Sequence, residues 1–195
     1  MPNNNLDTYL EKPRTAFQVR SDSRLRKKDN MKIAFILTFA ANLGLLAVSY
    51  AISPERVAIH FGFGGNPDNW APSHINALLM AGVHILVFLS LYFSTRLTRI
   101  FPKKYINIPN KSYWIRDENW SKAESILTKE MYIFGTSIFI FMFIVGLLVL
   151  QANLSTPVKF REDLFWWPFG IFIAFTIYWT IRLMTRFKLP KEELR

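Results

Sequence analysis

His60, Asp68 and His74 lie within one short stretch, with Glu55 just upstream. Imidazole nitrogens and carboxylate oxygens are the donors that a zinc ion accepts. The sharpest chemistry available to the chain is therefore a metal site or a metal-dependent hydrolase. The spacing matches no compact motif such as His-Glu-x-x-His on a helix. A turn-rich segment also needs internal hydrogen bonds, and His60 supplies one by reaching a backbone carbonyl or Asp68. The expectation is that these residues fold the loop, with ligand binding and metal binding as the alternatives. The sequence contains no cysteine, which removes thiolate ligands, thiol nucleophiles and disulfides. No nucleophile–base set, phosphate loop or nucleotide fingerprint is present, so no enzymatic activity, metal or cofactor is expected.

A second polar pair, Asn42 and His84, falls inside apolar sequence. Each lies nine residues in from an end of its run, roughly 13–14 Å deep at about 1.5 Å per residue. Intramembrane ionisable residues mark proton or ion pathways in many proteins. A small transporter or proton-coupled component using His84 and Asn42 is thus one alternative. With no carboxylate read inside any span, a neutral His hydrogen-bonded between helices is the expectation. Thr38, Asn42, Leu45 and Ser49 form one stripe at helical spacing, and Ala77, Ala81 and His84 form another. Small residues on such stripes let helices approach closely. Gly135, Phe139, Met142 and Gly146 mark the packing face of the third helix.

The elements that carry these residues follow from hydropathy. Four apolar runs, 33–52, 75–93, 131–150 and 165–184, each approach the roughly 20 residues needed to cross a bilayer. The fold class expected is an all-α integral membrane protein, a four-helix transmembrane bundle spanning 31–186. The net charge of +10 is distributed asymmetrically. Lysines and arginines crowd the N-terminal tail, the 96–130 connection and the C-terminus, whereas the other two connections hold only Arg56, Lys159 and Arg161. The positive-inside rule then places both termini and the 96–130 loop in the cytoplasm, and the outer loop 53–73 outside. The location implied is the plasma (inner) membrane. The lipid bilayer is the first partner, with anionic lipids at the cytoplasmic face. The same basicity raises the question of nucleic acid, but lipid headgroups explain it without that partner.

Residues 1–30 read as a disordered basic tail and 187–195 as a second tail. Ser121 and Glu124 have the spacing of a capping box. Trp120, Ala123, Leu127 and Met131 form an apolar stripe, so an amphipathic cytoplasmic helix is expected to lie along the membrane and feed into the third span. Ser73 is a candidate cap for the second helix, and Pro168 falls where first-turn amides lack partners. Trp166 and Trp167 at one interface, with Tyr178 and Trp179 at the other, fit aromatic belts.

In the outer loop, Val57, Ile59 and Phe61 alternate with Ala58 and His60 as in a half-buried strand. Residues 64–68 concentrate turn chemistry. Glu55, Arg56, His60, Phe61, Gly65, Pro67, Asp68 and Trp70 together resemble the signature of a bacterial membrane family catalogued as a domain of unknown function. That module is shared with the N-terminal part of SdpI-type immunity proteins. Relatives carry a Pro-acidic-Arg start, a His-aromatic pair, a Gly, a Pro-Asp and a Trp. Gly62 stands where they frequently have Asn. Asn107, Pro109, Asn110, Tyr113 and Trp114 resemble the middle loop of small stand-alone members, with Tyr113 and Trp114 able to rest on the membrane surface. The resemblance covers about 33–150 and implies a four-span member of that family. It brings no enzymatic activity with it. The function expected is a non-catalytic membrane protein that recognises an extracytoplasmic peptide or envelope partner through its outer loop. A homo-oligomer and a membrane-embedded metal-dependent enzyme are the further alternatives.

Overall fold

The computed structural model describes residues 16–190, with side chains described from Asp29 onward apart from Arg99. Four long helices dominate: α1 (Ala16–Ile52), α2 (Ser73–Ile100), α4 (Asp117–Leu154) and α5 (Glu162–Arg186), with a single helical turn, α3 (Lys111–Trp114), between α2 and α4. All four are long and apolar enough to cross a membrane, which marks the chain as a multi-pass membrane protein. Leu78, Leu86, Ile171 and Ile181 are among many large apolar side chains exposed on the outside of the bundle. That arrangement is stable in hydrocarbon, where a helix satisfies its own backbone and apolar surface costs nothing.

The helices run up and down. The connections after α1 and after α4 meet at one end, called the hairpin end below. The connection after α2 and the end of α5 meet at the other, the basic end. The core is built by three helices rather than four. Phe35 of α1 stacks on Phe88 of α2 at 5.0 Å, and its ring lies 5.6 Å from both Tyr132 and Phe139 of α4. Gly135 permits that approach, because a Cβ there would sit 2.6 Å from the Phe35 ring. Gly146 accommodates Leu45 about three turns further along, where a Cβ would lie 3.0 Å from Leu45 Cδ2. Close packing of this kind through small residues replaces the hydrophobic drive that lipid removes. Helix α5 docks on the flank, mainly on α4, through Phe134–Trp179 at 4.4 Å and Phe141–Phe172 at 4.7 Å.

Several boundaries differ from the sequence reading. α1 starts at Ala16, so 16–30 are helical rather than disordered, and 1–15 lie outside the described residues. α4 is one continuous helix of 38 residues beginning at Asp117. Ser121 therefore sits inside it and caps nothing, and no separate amphipathic helix precedes the span. At about 1.5 Å per residue α4 is roughly 57 Å long, well beyond a hydrocarbon core of about 30 Å. Its first turns project from the basic end. Their apolar stripe packs on protein instead of lipid: Ala123 is buried with Trp114, Ile108 and Phe187, and Trp120 and Leu127 close over them. Trp114 is consequently buried, not laid on a membrane surface, and Phe187 belongs to this small core rather than to a tail.

Ser73 is the first helical residue of α2, after Pro72. It contributes its backbone N–H to Glu55 O at 2.8 Å and no side-chain cap. Pro168 is the seventh residue of α5, past the turn where a missing amide costs nothing. Trp166 and Trp167 are exposed at the hairpin end and Tyr178 near the basic end, whereas Trp179 is buried against Phe134.

Candidate site: a two-loop cap and two buried polar clusters

The hairpin end begins with β1 (Arg56–Phe61), a 3-10 turn (Phe63–Gly65) and β2 (Pro67–Pro72), paired antiparallel. The register pairs Arg56 with Pro72, Ala58 with Trp70 and Phe61 with Pro67. It shifts between Ala58 and His60 and again between His60 and Phe61. Simple alternation fails for that reason: Val57 and Ala58 are both buried, while Ile59 and His60 are exposed. A bulge changes which face successive residues occupy.

His60 Nδ1–H donates to Asp68 Oδ1 at 2.6 Å across the hairpin, and both side chains are more than half exposed. Gly62 leaves room for this pair, since a Cβ there would meet Asp68 Oδ2 at 3.0 Å. The Glu55 carbonyl receives Ser73 N–H, and Arg56 Nη2 reaches Trp70 O at 3.5 Å. His74 is exposed in the first turn of α2 and stands outside the His60–Asp68 pair. Among the described residues no group of three or more His, Cys, Asp or Glu converges.

The connection after α4 completes the cap, and sequence reasoning missed it. Asn153, buried near the end of α4, accepts Ala58 N–H on Oδ1 at 2.6 Å and donates Nδ2 to Ala58 O at 3.1 Å. Its amide thus stands in for a further strand edge. Glu162 Oε1 accepts Gly65 N–H at 2.9 Å, and Phe160 N–H donates to Gly65 O at 2.8 Å. The Phe61 ring stacks on Phe160 at 5.2 Å. Gly65 has φ +74°, and a Cβ on it would fall 2.1 Å from the Phe160 carbonyl oxygen. Only glycine allows the two chains to touch there. Phe63, at the tip, is fully exposed at 101%. Asn153 lies three residues past the apolar run read from the sequence, and its polarity at a helix end was the one available signal.

At mid-bundle, the structure brings Asn42 and His84 together. Asn42 Nδ2 donates to Thr38 O at 2.8 Å and to Phe139 O at 2.9 Å, which fixes the amide and turns Oδ1 toward His84 Nε2 at 3.2 Å. His84 Nδ1 lies 2.7 Å from Met80 O; both facing oxygens accept, so a neutral imidazole donates to Met80 O in one tautomer and to Asn42 Oδ1 in the other. Asn42 therefore ties α1 to α4 through a backbone carbonyl, and His84 adds α2. Interhelical polar contacts of this kind contribute about 0.6 kcal/mol on average and up to about 1.7. Asn42→Leu removes the α1–α4 bond and is expected to lose about 1–2 kcal/mol. His84→Leu should lose less, because its shorter bond stays within α2. Reversible unfolding in mixed micelles of the two variants checks that order.

The middle-loop residues form a clasp at the basic end. Asn110, in the left-handed conformation at φ 52°, donates Nδ2 to Phe187 O at 2.8 Å, and Trp114 Nε1–H donates to the same oxygen at 2.9 Å. Phe187 C-caps α5, so the clasp satisfies a carbonyl that the helix leaves unpaired. Pro109 and Tyr113 are half-buried beside it, and Asn107 is exposed. The second buried polar cluster escaped sequence reasoning because a third span starting at Met131 leaves Glu130 one residue outside it. Glu130 is only 1% exposed on α4; Arg182 Nη2 of α5 lies 3.1 Å and Arg186 Nε 3.9 Å from its Oε1.

Residues 37–85 match the family model of a domain of unknown function, DUF1648. The matched segment runs from α1 through the whole hairpin to α2, and so contains both Asn42 and His84. The DUF1648 segment covers about a quarter of the chain, and the four apolar helices around it fit a membrane domain. No curated protein and no solved structure matches the chain. Asn153, Glu162 and Glu130 lie outside the DUF1648 segment, although the first two close its hairpin.

Proposed function

We propose that this chain is a non-catalytic receptor-like protein of a bacterial inner membrane, which recognises an extracytoplasmic peptide or envelope partner through its cap. The single observation that carries this reading is the construction of the cap. Two connections far apart in sequence are fastened at Ala58 and Gly65 by Asn153, Phe160 and Glu162, and the assembly holds a bare aromatic ring at its tip. A connection that merely joins two helices needs none of this. Exposed aromatic side chains on a rigid frame are typical anchors of recognition surfaces.

The orientation follows from charge. The basic end gathers Lys103, Lys104, Lys111, Lys122, Arg182 and Lys188, whereas the cap carries Arg56, Lys159 and Arg161 alongside Glu55, Asp68, Glu162 and Asp163. The positive-inside rule then sets the basic end and both termini in the cytoplasm. The likeness to the SdpI-type module supports an immunity- or signalling-like role, and self-association is compatible with it. The transport alternative draws on Asn42 and His84, but their hydrogen bonds to helix backbone suit packing better.

A photo-crosslinking residue in place of Phe63 tests the reading in intact cells. The expected result is one discrete protein or peptide adduct that disappears when Asn153→Leu unfastens the cap. Adducts with lipid alone, or adducts indifferent to Asn153→Leu, would contradict it.

A further inference from the structure

We propose that Arg182 and Arg186 form a seat for the phosphate of an anionic phospholipid at the basic end of the α4–α5 seam. Among the described residues, Glu130 is the one carboxylate that both arginines approach, and it offers them a single oxygen, at 3.1 and 3.9 Å. The cluster therefore keeps one surplus positive charge. Two guanidiniums one turn apart on a helix also repel each other. An anion bridging them relieves both conditions, and a tetrahedral phosphate matches the guanidinium fork.

Three features favour a lipid over a free phosphate. Arg186 is the last residue of α5, so the pair stands at the level where a spanning helix meets headgroups. Glu130 holds the Arg182 and Arg186 side chains on the α4 side, yet 23% and 44% of them stay accessible. Tyr178, one turn before Arg182 on the same stripe of α5, is exposed and offers its ring as a surface suited to acyl chains. Basic pockets between transmembrane helices take phosphorylated headgroups in this manner. The seat is independent of what the cap recognises and requires only that α5 crosses a bilayer.

Native mass spectrometry of the full chain, released from nanodiscs of equal phosphatidylglycerol and phosphatidylcholine, tests the seat. One phosphatidylglycerol should be retained in preference to phosphatidylcholine, and Arg186→Gln should lower its retention about fivefold. Arg186→Gln leaves the closer Glu130–Arg182 pair intact, so the fold survives. The triple variant Glu130→Gln/Arg182→Gln/Arg186→Gln, which changes net charge by one, should retain about tenfold less. Lys104→Gln, with the same change in charge away from the seam, should retain as much as the parent. Equal retention by the triple variant, equal loss in Lys104→Gln, or displacement of the lipid by millimolar inorganic phosphate would each overturn the proposal.

Discussion

Arg182→Gln is expected to be the most damaging single substitution at the basic end, costing about 3–5 kcal/mol. Glu130 is buried to 1% and its second oxygen has no hydrogen-bond partner, so Arg182 is the principal compensation for its charge. Removing that arginine leaves a carboxylate without its close partner in a poorly solvated seam. Arg186, at 3.9 Å, recovers part of the loss by moving closer, which favours the lower end of the range. The converse change, Glu130→Gln, should be milder, because partly accessible arginines can extend toward the headgroups. The double variant Glu130→Gln/Arg182→Gln should regain most of the stability, since the buried carboxylate is gone and the remaining Arg186 is accessible enough to be solvated. Unfolding free energies in mixed micelles check the cycle. Equal losses for Arg182→Gln and the double variant would show that the pair acts through shape alone.

Gly65→Ala should break the cap while leaving the bundle intact. A residue with a Cβ at φ +74° loses about 1–2 kcal/mol from backbone strain alone. At Gly65 the added methyl would also sit 2.1 Å from the Phe160 carbonyl oxygen, so the second connection has to separate. Gly64 provides the internal control. Its φ is +78°, but a Cβ there finds only Asn66 Nδ2 at 3.6 Å. Gly64→Ala should therefore show the strain without the separation. The separation is measurable as trypsin cleavage at Lys159 and Arg161, fast in Gly65→Ala and slow in Gly64→Ala and the parent. Equal cleavage in both variants would mean that Gly65 serves the turn and not the contact between connections.

The four spans were legible because length and hydropathy determine them with little help from tertiary structure. So were the packing face of α4 at Gly135 and Gly146, and the meeting of Asn42 with His84, which helical periodicity places at one depth. What could not be read depends on contacts distant in sequence. Nothing near Ala58 signals that its backbone will be completed by Asn153, ninety-five residues later. Phe187 looked like part of a tail because its burial depends on Trp114 and Ala123. Glu130 was overlooked for a different reason: a hydropathy boundary drawn at Met131 treats a charged residue as the end of a span. Arg182 and Arg186, one turn apart on α5, were the signal that a carboxylate was needed opposite. The bulge in β1 likewise defeats a simple period of two, since one extra residue moves the following side chains to the other face.

The proposed orientation turns the folded cap outward and the basic clasp toward the cytoplasm. The absence of cysteine from the sequence makes a direct measurement possible. Phe63→Cys and Lys104→Cys, each the sole thiol of its chain, are treated in intact cells with a membrane-impermeant maleimide. In that orientation labelling is complete at 63 and absent at 104 until the membrane is permeabilised. Labelling at 104 before permeabilisation, with 63 protected, would contradict it.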